Sequence, residues 1–131
     1  MKITDLRIGN WINIRNHDAK IGPAFFTDFD NYDFENDGIF KPEIQPILLT
    51  EEWLLKFGFK KGKVLTNIYY SLNIDASYGA SIVAFIENEK KLEIYLSDCD
   101  GGHIGKKLEY VHELQNLYFA LTGEELEVIN N

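Results

Sequence analysis

Three stretches of this 131-residue chain hold side chains whose types and spacing can do chemistry. Ser97-Asp98-Cys99-Asp100-Gly101-Gly102-His103 gathers two carboxylates, a thiol and an imidazole. Such groups ligate zinc or build nucleophilic sites. The carboxylates beside Cys99 disfavour a thiolate, whereas reactive cysteines sit in electropositive surroundings. Two glycines flanked by acids are the ingredients of a surface turn, which is the expected structure here. In the second stretch, Asp33, Glu35, Asp37 and Gly38 take the first, third, fifth and sixth places of a calcium loop. The twelfth place, which needs a bidentate acid, is Ile44. That stretch reads as a solvated acidic loop or, together with Asp28 and Asp30, as an acidic contact surface for a basic partner.

The third stretch is Val111 to Gly123, where His112, Gln115, Asn116 and Phe119 recur at i, i+3, i+4 and i+7. This stripe is uncharged, able to hydrogen-bond, and ends in an aromatic. The side chains within reach of His112 are amides, which orient an imidazole without stabilising its charged form, so general-base work has no support. The stripe is expected to be an internal hydrogen-bonding seam between the two halves of the domain or, where exposed, a contact surface. The remaining glycines form neither a dinucleotide fingerprint nor a phosphate-binding loop. No catalytic, cofactor or metal residue is assigned, and no cofactor is expected.

The elements that must position these residues follow from periodicity. Beside the polar stripe, Val111, Leu114, Leu117, Tyr118 and Leu121 form the apolar face of the same helix, and Gly123 ends it. Ile12 and Ile14 alternate with Asn13 and Arg15 as a half-buried strand, and Asn16 to Ala19 is expected to turn the chain. After Gly22-Pro23, a strand is expected to begin at Ala24 or Phe25. Asp28 to Gly38 reads as a strand end passing into a long loop. Glu43 to Leu49 is extended, and Pro42 and Pro46 argue against an interior strand position. Thr50 is placed to cap a helix that starts with Glu51 and Glu52 and runs through Trp53 to Phe57. Gly58 ends that helix in a left-handed conformation, with Phe59 packing back. From Val64, the residues Val64, Thr66, Ile68, Tyr70, Leu72 and Ile74 share a strand face, followed by Ile82, Ala84 and Ile86 and, after the turn Asn88-Glu89-Lys90, by Leu92, Ile94 and Leu96. The last helix is the expected cover for that meander. Glu124 to Asn131 is a polar tail.

The totals bound the rest. The length suits a single domain spanning residues 1–131, and 45% hydrophobic with 14% aromatic residues provides a core without disulfides. The lone Cys99 fits a reducing compartment, and the first residues carry no secretory apolar stretch, so a cytoplasmic location is expected. The net charge is -8, and His17 to Glu43 holds seven acids against two bases. An acidic chain without a basic patch is a poor direct ligand for nucleic-acid phosphates or anionic membranes.

Leu6 to Asn13, Pro46 to Phe59 and Tyr110 to Leu126 together resemble a family of small uncharacterised proteins common in Bacteroidetes genomes and in their phages and mobile elements. The resemblance covers both ends and the middle of the chain. It carries no established activity and no catalytic residue, and it implies an accessory role tied to mobile elements.

The fold expected is α+β. A small, barrel-like set of N-terminal strands with a short helix precedes a three- or four-stranded antiparallel meander packed by the C-terminal helix. The leading functional expectation is a non-enzymatic interaction module with an unknown protein partner. One alternative is an acidic nucleic-acid mimic that blocks a nucleic-acid-binding protein. The other is a small enzyme or metal protein using Asp98, Asp100, His103 or His112.

Overall fold

The computed structural model describes residues 5–23, 32–33, 39–40, 44–65, 67–75, 80–87, 91–97 and 103–129. They form an α+β fold of antiparallel sheets and two helices, α1 (Glu51–Lys56) and α2 (Val111–Thr122). The chain divides into two compact units that interleave in sequence. The first comprises Met1–Leu48 and Tyr110–Glu125, the second Leu49–Glu109 and Leu126–Asn131.

The first unit holds β1 (Trp11–Ile14), β2 (His17–Lys20), β3 (Tyr32–Asp33), β4 (Ile39–Phe40) and β5 (Ile44–Gln45). Ile14 pairs with His17, which leaves Arg15 and Asn16 as a two-residue turn. Both have positive φ, 51° and 68°, as the mirror-image turns of hairpins require. The turn therefore comes earlier than Asn16 to Ala19, and His17 is already in the returning strand. Asn13 drives the shift. Its Oδ1 accepts from the Asn16 N–H at 3.1 Å, and its Nδ2 donates to Asp18 Oδ1 at 3.1 Å.

The sheet order is β2-β1-β5. Among the described residues it is open and does not form a barrel, since three strands with β2 and β5 at the edges cannot close on themselves. The edge place of β5 suits its neighbour Pro46, which has no N–H to offer a ladder. Tyr32 pairs with Phe40 and Asp33 with Ile39 in a separate two-stranded ladder. Asp28, Asp30, Glu35 and Asp37 lie outside the described residues, as do Gly38 and the strand start expected at Ala24 or Phe25. The core of this unit includes Leu6, Ile12, Ile21, Ile44, Ile47, Val111 and Leu114.

The second unit is a five-stranded antiparallel sheet in the order β10-β9-β8-β7-β6, with α1. Its strands are β6 (Lys60–Val64), β7 (Asn67–Asp75), β8 (Ala80–Glu87), β9 (Lys91–Ser97) and β10 (His103–Leu108). The three strands expected from alternation are the centre of this sheet, and register pairs Tyr70 with Ala84, Leu72 with Ile82, and Ile82 with Leu96. The sheet has five strands where three or four were expected, and β6 and β10 are the additions. The run from Val64 breaks at Leu65, where φ is 57°, and a hairpin returns with Val64 paired to Asn67. His103 opens β10, paired with Ser97 at the end of β9, and the turn expected at Asp98 to Gly102 lies outside the described residues. Both added strands are lysine-bearing edges, KKGKV and HIGKKL, and lysine on an edge blocks further strand pairing while hiding the apolar alternation. Asp98, Cys99 and Asp100 lie outside the described residues, as do Thr66 and Asn88 to Lys90.

α1 follows its sequence signals closely. Thr50 is extended at φ -130° and its Oγ1 accepts from Trp53 N–H at 3.4 Å. At the other end Gly58, with φ 92°, donates to Leu55 C=O at 3.0 Å, and Phe59 donates to Leu54 C=O at 3.0 Å. This pair of bonds is a Schellman motif, which satisfies carbonyls the helix end would leave over. Trp53, Leu54, Phe57 and Phe59 are buried, as are Tyr70, Ile82, Ala84 and Leu108 of the sheet.

Candidate functional site

The first two turns of α2 are buried by both of its stripes. Val111, Leu114 and Gln115 are fully buried and His112 nearly so, whereas Phe119 and Leu121 are each 40% exposed. α2 lies in the first unit with β1, and its polar stripe faces the segment Asp5 to Trp11. Of the four stripe residues, Gln115 and Asn116 form a hydrogen-bonding seam between these two segments of that unit.

Gln115 makes the central contacts. Its Oε1 accepts from the Trp11 N–H at 2.8 Å and its Nε2 donates to the Gly9 C=O at 2.9 Å. The side-chain amide thus continues the backbone pairing beyond the start of β1. Asn116 lies one step around the helix. Its Nδ2 donates to the Asp5 C=O at 2.9 Å, and its Oδ1 accepts from Asn10 Nδ2 at 3.1 Å and from Arg7 Nε at 2.8 Å.

Arg7 is the hub of the network. Besides Asn116 it donates from Nη1 to Glu125 Oε1 at 2.6 Å and from Nη2 to the Gln115 C=O at 3.2 Å. Its own N–H donates to Asn10 Oδ1 at 2.6 Å. The guanidinium stacks over the Phe119 ring, 4.2 Å from its centre. This planar fork serves a carboxylate, an amide, a carbonyl and a ring at once, which a lysine cannot do. Gly9 at φ 98° gives the segment Asp5 to Trp11 its bend, and a side chain there would press on the Glu125 carboxylate, 3.3 Å from the Cβ position.

His112 is in the same stripe but outside the network. Its ring is buried, stacks on Tyr110 at 5.9 Å and 9°, and its Nδ1 has no hydrogen-bond partner. Burial holds its pKa below the ordinary imidazole value, while the charges of Glu113 and Asp5 act the other way. The environment favours the neutral ring.

A second group of titratable side chains joins α1 to the sheet. The Tyr70 hydroxyl and Lys61 Nζ, the latter at 3.2 Å, both donate to the Glu51 carboxylate. The Tyr70 hydrogen bond and then Lys61 hold the Glu51 pKa down. Burial, reinforced by Glu51, pushes Tyr70 up to about 12. A phenol held this firmly protonated is an anchor rather than a base.

The structure therefore brings together Gln115, Asn116 and Phe119 and sets His112 beside them. Asp33 is in β3 and His103 in β10. Arg7, Asn10 and Glu125 are the members that sequence reasoning missed. The neutral stripe itself was the signal, because amides in a helix face imply partners elsewhere. Among the described residues no group of three or more His, Cys, Asp or Glu side chains is placed to hold a metal ion. Among them, too, no helix is long and apolar enough to cross a membrane. Comparison with protein-family models, with curated proteins and with solved structures returns no match.

Proposed function

We propose that this chain is a non-enzymatic interaction module of the cytoplasm, serving a phage or mobile element, and that the Arg7–Phe119 pair is the centre of its contact surface. The observation that carries this reading is the treatment of Phe119. Its ring is 40% exposed, yet it is fixed beneath a guanidinium that Asn116 and Glu125 hold in turn. Arginine and aromatic side chains are the types that dominate binding energy at protein interfaces. A ring that is already immobilised loses little conformational freedom on binding, which favours affinity. The buried members of the stripe, Gln115 and His112, support the surface from within rather than forming it.

Affinity purification from producing cells tests this, with wild type, Phe119→Ala and the control Leu65→Asn compared. Leu65 is 88% exposed at positive φ, a conformation asparagine adopts readily. A protein retained by wild type and control but lost from Phe119→Ala, with unchanged circular dichroism, supports the reading. The same set from all three, or no retained protein from any, contradicts it.

A further inference from the structure

The segment after α2 is built to dock. Gly123 turns the chain at φ 75°, and Thr122 Oγ1 steadies the turn by donating to the Tyr118 C=O at 2.8 Å and accepting from the Glu124 N–H at 3.0 Å. The chain passes from the first unit to the second between Glu125 and Leu126. Leu126 is buried to 5% exposure, and within the second unit the Ile129 N–H donates to the Lys56 C=O at 2.7 Å. Lys56 is the last residue of α1, and its carbonyl is among those a helix end leaves without an internal partner. Gly58 supplies the rest of the seat. The Ile129 side chain occupies the space where a Cβ at residue 58 would stand.

The seat thus offers one carbonyl acceptor and a hollow over a glycine, and the segment that fills it also buries a leucine. An extended peptide answers such a site with one N–H and two apolar side chains. The hold is slight. Ile129 remains 54% exposed, and among the described residues that one backbone hydrogen bond secures the tail.

We propose that Leu126 to Ile129 is a detachable intramolecular ligand of the end of α1, and that its seat accepts the same Leu-x-x-Ile segment supplied in trans. The tail shields the seat by high local concentration, since a short tether holds a ligand at about millimolar effective concentration. A competing segment of this chemistry releases it. The inference rests on the second unit and does not depend on the role proposed for Phe119.

The test uses the full chain and a fluorescent peptide with the sequence of residues 124–131. Ile129→Asp in the chain weakens the tethered ligand and leaves the seat intact. The peptide is expected to bind that variant at least about tenfold more tightly than wild type, and a peptide carrying Ile129→Asp is expected to bind neither. Equal affinity for the two folded chains, or no binding to either, overturns the proposal. Should Ile129→Asp fail to fold, hydrogen exchange of the wild-type chain decides. The Ile129 amide must then exchange well before the amides of α1, and exchange only on global unfolding overturns the proposal.

Discussion

The two helices are held in their units by opposite means. α1 is short, capped by Thr50 and closed by Gly58 and Phe59, and it buries Trp53, Leu54 and Phe57. Apart from the tie of Glu51 to Tyr70 and Lys61, its stability comes from area removed from water, and area is indifferent to small changes of orientation. α2 buries an amide as completely as it buries a leucine. Gln115 is fully buried and spends both ends of its side chain on the backbone of Gly9 and Trp11. Such a contact is favourable only in one geometry, because an amide shifted out of place leaves buried donors and acceptors unpaired. The first arrangement tolerates substitution by volume, and the second fixes register.

Substitutions at the two helices separate these cases. Phe57→Ala should cost about 3–5 kcal/mol in urea unfolding, because it removes a large buried ring and leaves a cavity. A volume-conserving Leu54→Met should cost less than about 1.5 kcal/mol. The seam should behave differently. Gln115→Leu preserves volume and gains apolarity, yet it should cost about 2–4 kcal/mol by stranding the Trp11 N–H and the Gly9 C=O. If Gln115→Leu proves as mild as Leu54→Met, the contrast between the helices fails.

Smaller effects sharpen the comparison. Arg7→Lys keeps the charge and loses the fork, and should cost about 1–2 kcal/mol, together with a more mobile Phe119 ring detectable by NMR relaxation. Removing the cap with Thr50→Ala should cost about 1 kcal/mol. The least effect is a slope rather than an offset. The folded pKa of His112 lies below its unfolded value, so the unfolded chain takes up the proton first as pH falls. Stability present at neutral pH should decline as pH drops below about 6.5 and level off under the folded pKa. His112→Phe should flatten that limb of the stability profile; an unchanged profile would contradict the role assigned to burial.

The contrast also explains what was legible in the sequence. α1, α2 and the three central strands of the large sheet follow local rules: caps at Thr50, Gly58 and Gly123, and apolar residues at a period of two. The edge strands β6 and β10 broke the pattern because lysines stand where an interior strand carries apolar residues. The hairpin at Leu65 lacked the usual signal, since neither glycine nor asparagine marks its positive φ. The seam was half visible. Its helix side stood out as a neutral stripe, but Arg7, Asn10 and Glu125 meet it through chain folding, and Arg7 lies 109 residues from Asn116. No local pattern encodes a partnership at that separation.

The claim on which the comparison turns is that Gln115 is locked between Gly9 and Trp11. Amide hydrogen exchange of Trp11 followed by NMR tests it most directly, because that N–H lies just where the seam meets β1. The Trp11 amide should exchange only on global opening, as slowly as the amides of α2, and Gln115→Leu should release it. A Trp11 amide that exchanges freely in the folded wild-type chain would contradict the account.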